Sequence, residues 1–134
     1  MIRILVTGSR YWRCNDLAVA IVRRMVKRYG KITIVHGGAC GVDEAFAAAC
    51  RELGVDAEPH AANWTAGKIA GPQRNAEMVQ SGIDLCVAFH QDLAASKGTK
   101  DCVRQALKAK VPVYLIEDDA GVPRRVWAMD ARLN

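Results

Sequence analysis

The sequence predicts an α/β fold of the Rossmann-like, three-layer αβα kind, built on a mainly parallel five-stranded sheet in the order 3-2-1-4-5. Apolar runs of strand length alternate with amphipathic segments of helix length along the whole chain. The strands read as continuous apolar runs, such as Ile4-Leu5-Val6, Ile32-Thr33-Ile34-Val35 and Leu85-Cys86-Val87-Ala88-Phe89. Such runs suit a parallel sheet covered on both faces, where no side chain faces water. Right-handed crossovers then favour the stated order. The chain reverses direction between the first and fourth strands, so a ligand crevice is expected beyond their carboxyl ends.

Each element has a local reason. The first strand, Ile2 to Thr7, leads through a turn at Gly8 to Asn15 into a helix that Asp16 is placed to cap and Gly30 to end. The second strand, Ile32 to His36, meets a glycine turn and a helix from Val42 to Leu53, stopped by Gly54. Asp56 to His60 reads as a third strand at an edge, because Pro59 cannot donate to a central ladder. After a loop through Trp64 and Gly67, Gly71-Pro72 opens a helix to about Ser81, proline being suited to a first turn. The fourth strand is Leu85 to Phe89, followed by a helix from Thr99 to about Lys110 and a fifth strand from Pro112 to Ile116. Residues 118–134 read as a partly ordered tail, packed on or extending a single domain of residues 1–117.

A chain of 134 residues with 51% hydrophobic content has the size and composition of one domain with a real core. It contains no apolar run long enough to span a bilayer, and Met1 to Thr7 is a β-branched run carrying Arg3 rather than a secretory leader, so a cytoplasmic location with no membrane partner is expected. Five cysteines at irregular spacing, without a C-x-x-C pair, read as reduced thiols, with Cys50 and Cys86 as small apolar filler. His36, His60 and His90 fall at strand ends but lack a carboxylate or cysteine at ligand spacing, so no metal is expected.

Charge is uneven. Of the 19 basic residues behind the net charge of +5, eight lie before residue 32, against Asp16 alone among the acids. Arg23, Arg24, Lys27 and Arg28 form one side of the first helix, opposite Leu17, Ile21, Val22 and Met25. This stripe is a solvated outer face or a surface for an anionic partner such as single-stranded nucleic acid.

Three strand-to-helix turns share the expected ligand edge: Thr7-Gly8-Ser9-Arg10, Gly37-Gly38-Ala39-Cys40-Gly41-Val42-Asp43 and Ser96-Lys97-Gly98-Thr99. Glycine allows close approach of backbone to ligand, and the free N–H groups and dipole of a helix N-terminus favour an anion. Gly71-Pro72-Gln73-Arg74-Asn75 adds an arginine on a first helical turn, suited to gripping phosphate or carboxylate. Asp43 either satisfies backbone donors at its helix start or bonds ribose hydroxyls. Trp64 either packs under its loop or stacks on a base. The candidate ligand-binding set is Gly8, Ser9, Arg10, Gly37, Gly38, Ala39, Gly41, Asp43, Gly71, Arg74, Asn75, Gly98 and Thr99.

These motifs, with His36, Trp64, Met78, Asp84-x-x-Val87-Ala88-Phe89 and Gly98-Thr99-x-Asp101, resemble in order the YspA/YpsA-related branch of the SLOG superfamily over residues 2–117. That superfamily includes the LOG phosphoribohydrolases and the DNA-processing protein DprA. The resemblance implies a nucleotide or ADP-ribose-like ligand at the strand edge. Arg74 and Met78 look like the arginine and methionine of the LOG helix motif R-x-x-x-M, and Gly98-Thr99 like the G-T of P-G-G-x-G-T-x-x-E. The chain departs from that motif at Ala94, Ala95 and Ser96, and Cys102 stands where the hydrolases carry their catalytic glutamate. A carboxylate should stabilise the oxocarbenium-like state of N-glycosidic cleavage. Asp43 and Asp101 are the candidate substitutes.

The leading expectation is a binding or sensing domain for a phosphate-bearing nucleotide or nucleotide-sugar, requiring no cofactor. The alternatives are a nucleotide N-glycosidase or phosphoribohydrolase that releases a base from a nucleoside monophosphate, and single-stranded nucleic-acid binding through the basic first helix. A domain this small with an apolar helix face can also pair with a second copy.

Overall fold

The computed structural model describes all 134 residues, Met1–Asn134. Its strands are β1 (Ile2–Gly8), β2 (Ile32–His36), β3 (Asp56–Pro59), β4 (Leu85–Phe89), β5 (Val113–Ile116) and β6 (Arg124–Val126). They form one sheet in the order β3-β2-β1-β4-β5-β6, parallel except for β6, which runs antiparallel to β5. The expected order is thus extended by one strand at the β5 edge. Four α-helices, α1 (Asn15–Tyr29), α2 (Val42–Leu53), α3 (Ala70–Gln80) and α4 (Gly98–Lys108), cover the sheet in the Rossmann-like αβα manner.

Alternation along the strands sends successive side chains to opposite faces and builds two cores. On one face, Ile4, Val6, Ile34, Val87 and Phe89 pack against Leu17, Ile21, Val22 and Met25 of α1 and Phe46 of α2. On the other, Leu5, Val35, Cys86, Ala88, Val113 and Leu115 pack against Met78 and Val79 of α3 and Cys102, Val103 and Ala106 of α4. The central strands are buried on both sides, which is why their sequence lacks polar alternation. Cys14, Cys50, Cys86 and Cys102 are buried free thiols, while Cys40 is exposed. Burial pushes Cys14 and Cys50 up to about 11, so these behave as inert core atoms rather than nucleophiles.

Helix starts differ in detail from expectation. α1 begins at Asn15 with Cys14 at the cap, so Asp16 sits in the first turn, where its charge favours the helix dipole instead of capping an amide. Burial of Trp12 and Cys14 fixes this earlier start by drawing the preceding loop into the core. Pro72 lies in the first turn of α3, and the segment before it is a tight turn over Trp64–Ile69, broken at Gly67. At the β3 edge, Arg3 reaches from β1 to grip both carboxylate oxygens of Glu58 at 2.9 and 2.8 Å, and His60 contacts the same carboxylate at 2.7 Å. The Arg3 hydrogen bonds and then that of His60 hold Glu58 down at about 2.

The tail gains its order from tertiary pairing. Leu115, Tyr114 and Val113 pair with Arg124, Arg125 and Val126, while Val126 and Leu133 enter the second core.

The turn between β2 and α2 depends on Gly41, whose φ of 74° is accessible to glycine and strained for other residues. A Cβ there would also run into the Ser9 carbonyl and the Arg10 backbone of the neighbouring turn. We expect Gly41→Ala to destabilise the fold by about 2–4 kcal/mol through combined backbone strain and overpacking, measured by urea denaturation. Gly98→Ala, which meets nothing within 4 Å and lies in α4, should be neutral or stabilising by up to about 1 kcal/mol.

Candidate functional site

The carboxyl ends of β1, β2 and β4 lie side by side, and the turns leaving them touch. The Ser9 amide donates to the Phe89 carbonyl at 3.0 Å, joining the β1 turn to the end of β4. The Val42 amide donates to the Ser9 carbonyl at 3.0 Å, joining the start of α2 to the same turn. Ser9 is buried, its hydroxyl accepting from the Tyr11 amide at 3.1 Å. These bonds set Gly8, Ser9 and Arg10 against Gly41 and Val42.

Asp43 fixes the interior of the β2–α2 turn. Its Oδ2 accepts the Gly37 and Ala39 amides at 3.1 and 3.3 Å, and the Gly38 amide donates to His36 Nδ1 at 3.0 Å. Three donors of the glycine turn therefore point at side chains of the same turn. The sequence pictures them as free for a ligand; the structure turns them inward because Asp43 and His36 are themselves buried, at 6% and 4% exposure, and need partners. Burial lowers the basicity of His36, helped by the nearby charges of His60 and Arg74. With Nδ1 accepting, His36 is the neutral tautomer that carries its proton on Nε2.

The other oxygen of Asp43 is different. Oδ1 is buried and has no hydrogen-bond partner. Desolvation pushes the Asp43 carboxyl up to about 6, against the opposing pull of the Ala39 and Gly37 amides and the charges of Arg74 and Arg10. A buried acceptor left unmet costs about 1–3 kcal/mol and more when charged, so the position favours a donor.

Two neighbouring residues of α3 lace the rim together. Arg74 Nη1 donates to the Gly37 carbonyl at 2.6 Å, and its Nε donates to Asn75 Oδ1 at 3.1 Å, which leaves Nη2 without a protein acceptor. Asn75, 2% exposed, donates from Nδ2 to the Gly98 carbonyl at 3.3 Å and to Asp101 Oδ2 at 2.9 Å. The first bond reaches the β2–α2 turn and the second reaches the start of α4, so α3 bridges the second and third glycine-bearing turns. Gly37 has to be glycine for this, since a Cβ would overlap the Arg74 guanidinium. Gly98 and the buried Thr99 open α4 behind Asn75.

Asp101 is occupied elsewhere. Its Oδ2 accepts from Asn75 and, at 2.9 Å, from Gln105, bracing α3 against α4. Cys102 is fully buried in the second core against the Cys86 thiol and offers nothing to the rim.

Above this floor stand exposed groups. Trp64 is 56% exposed, and the Arg10 guanidinium lies over its ring at 5.4 Å from the centroid. The indole passes close to Gly71, where a Cβ would come into ordinary contact at 3.7 Å. Arg10 makes no ion pair with a carboxylate. His90 Nδ1 accepts from the Asp92 amide, and no cluster of three or more histidine, cysteine or acidic side chains forms. The rim thus offers two arginines with free donor capacity and one flat aromatic surface, and beneath it lies a buried carboxylate oxygen without a donor.

Comparison with known proteins bears on the family and the fold. A sequence model of the YspA, cpYpsA-related SLOG family matches residues 2–67, the stretch that holds both of the first two glycine turns. The chain is 41% identical over 126 residues to the Gene 61 protein of Mycobacterium phage D29, covering 88% of this chain and 98% of that one. Among solved structures, the X-ray structure of TM1055, a structural-genomics target, superposes with a TM-score of 0.65 at 19% identity, over 84% of this chain and 72% of that one. DNA processing protein A from Helicobacter pylori, solved for its single-stranded DNA binding mode, superposes with a TM-score of 0.60 at 17% identity. That match covers 85% of this chain and 64% of the larger protein. The motif order read along the sequence, the sheet order and these matches agree: the chain belongs to the YspA, cpYpsA-related SLOG family.

Proposed function

We propose that the rim binds a phosphate-bearing nucleotide or nucleotide-sugar of the ADP-ribose type, as a sensing or processing site. The observation that carries this reading is the pairing of an unmet buried carboxylate oxygen on Asp43 with the half-used guanidinium of Arg74 beside it. A ribose hydroxyl supplies the hydrogen that Oδ1 lacks, and the attached phosphate meets Arg74 Nη2 and Arg10. Trp64 offers its face to the base once Arg10 turns to the phosphate. Because the Gly37, Gly38 and Ala39 amides serve Asp43 and His36, the arginines rather than the glycine turn supply most of the attraction for negative charge.

A second reading is an N-glycosidase acting on a nucleoside monophosphate. What favours it is the Asp43 carboxyl near 6, which is largely ionised at neutral pH yet poorly solvated, as suits stabilising a cationic sugar. Asp43 supports this role better than Asp101, whose Oδ2 braces two helices.

Three outcomes test these readings. In a thermal-shift screen with AMP, NAD and ADP-ribose, a ligand at a hundredfold excess over its Kd should stabilise the chain by about 2.7 kcal/mol, raising Tm by roughly 10 °C. Arg74→Ala should abolish the shift, and a screen without any shift would remove the nucleotide reading. Binding should also depend on pH. A ligand donor at Oδ1 favours ionised Asp43, so affinity for ADP-ribose, whose pyrophosphate does not titrate here, should fall as pH drops below about 6, approaching tenfold per unit. Asp43→Asn should flatten that dependence in isothermal titration. For the hydrolytic reading, AMP should release free adenine, and Asp43→Asn should bind AMP without releasing it; unchanged release in that variant eliminates the assignment.

A further inference from the structure

The sheet is covered unequally. α1 and α2 pack on one face against β1, β2 and the near side of β4, and no helix follows β5 to cover the rest of that face. On that face Leu85 of β4 and Tyr114 of β5 are partly exposed, Val87 and Ile116 lie buried beneath them in the first core, and Arg125 of β6 stands beyond. A groove of about 320 Å³ runs between them and the flank of α1, where Arg24 and Arg28 form its wall. A second groove, of about 240 Å³, continues it toward Pro112 and shares Tyr29, Leu85 and Tyr114 with the first. Together they make one trough along the sheet, open to solvent and remote from the rim.

The trough's chemistry is specific. Its floor is apolar, and its charged side chains are Arg24, Arg28 and Arg125 against the single carboxylate of Asp84, which accepts the Arg3 amide at 2.9 Å. The arginines are interleaved with aromatic rings: Arg28 lies over Tyr29 at 5.5 Å, and Arg125 lies over Tyr114 at 5.6 Å and Trp127 at 4.2 Å. Trp127 lines neither groove but stands at their edge, joined to it through Arg125, and at 63% exposure leaves ring surface for another partner. A second copy of the chain would oppose these arginines to one another, and a peptide of acidic residues would leave the rings and floor without apolar partners.

We propose that this trough is a binding surface for single-stranded nucleic acid, with bases set on the apolar floor and Trp127 and phosphates against Arg24, Arg28 and Arg125. A linear polymer alternating flat rings with negative charge matches the observed alternation of rings and arginines, and an open trough admits a strand where a closed pocket would admit one nucleotide. The surface is independent of the rim, and it divides the basic side of α1 into two ridges: Arg24 and Arg28 line the trough, whereas Arg23 and Lys27 do not.

That division supplies the test. A fluorescein-labelled twelve-residue oligothymidylate is titrated with the full chain and followed by anisotropy. Arg24→Gln with Arg28→Gln should weaken binding at least tenfold, as should Trp127→Ala, while Arg23→Gln with Lys27→Gln removes the same charge and should change it less than threefold. Contacts to three phosphates predict roughly 20-fold weaker binding between 50 and 200 mM salt. The proposal is overturned by absent binding at 50 mM salt, by equal effects of the two charge pairs, by equal competition from polyglutamate, or by loss of binding in Arg74→Ala instead.

Discussion

Where β2 turns into α2, the chain buries a carboxylate and spends the turn's own amides on it. Asp43 Oδ2 holds Gly37 and Ala39, which sets the path of the loop, and that path presents the Gly37 carbonyl to Arg74. Arg74 in turn fixes the start of α3, and Asn75 beside it fixes the start of α4. The rim is therefore a chain of dependencies that begins at one desolvated acid. Its cost is visible in the raised pKa of that acid and in the oxygen left without a partner. Removing the carboxylate would relieve that cost but would also release the two amides that set the loop.

The fold was legible because its signals are redundant. Uninterrupted apolar strands, glycine stops at Gly30 and Gly54, and the crossover rule each point to the same doubly wound sheet. β6 was not legible, since a segment of three residues containing Arg124 and Arg125 carries no strand pattern of its own and is ordered only by pairing with β5. At the rim, residue types could be read but directions could not. Sequence marks Asp43 as a helix-start acid; only coordinates reveal that one of its oxygens is satisfied and the other is not. Likewise, the sequence offers Asp101 as a second candidate carboxylate, and only the packing of α3 on α4 brings Asn75 and Gln105 onto its Oδ2.

Of the trough beside α1, the sequence shows the basic wall of Arg24 and Arg28 but not the floor and rings opposite it. Tyr29 is distant in sequence from Tyr114, Arg125 and Trp127, which belong to the last strands and the tail. Beyond the α1 stripe, the signal on this side is the nearness of Arg125 and Trp127, which the end of β6 brings together at 4.2 Å. The two surfaces also differ in kind: the rim is built from buried polar groups held in register by backbone bonds, whereas the trough is an apolar groove between the flank of α1 and the β4–β5–β6 side of the sheet.

The placement of β1 at the centre of the sheet has a consequence for biogenesis. Ile4 pairs with Ile34 on one side and with Leu85 on the other, so one neighbour emerges soon after it and the second only when most of the chain has been made. A growing polypeptide can assemble β1, α1, β2, α2 and β3 early, but β1 is then a raw sheet edge of apolar residues. In that interval the unpaired side of β1 is an open edge of the kind on which strands mispair, and β4 is the strand that covers it.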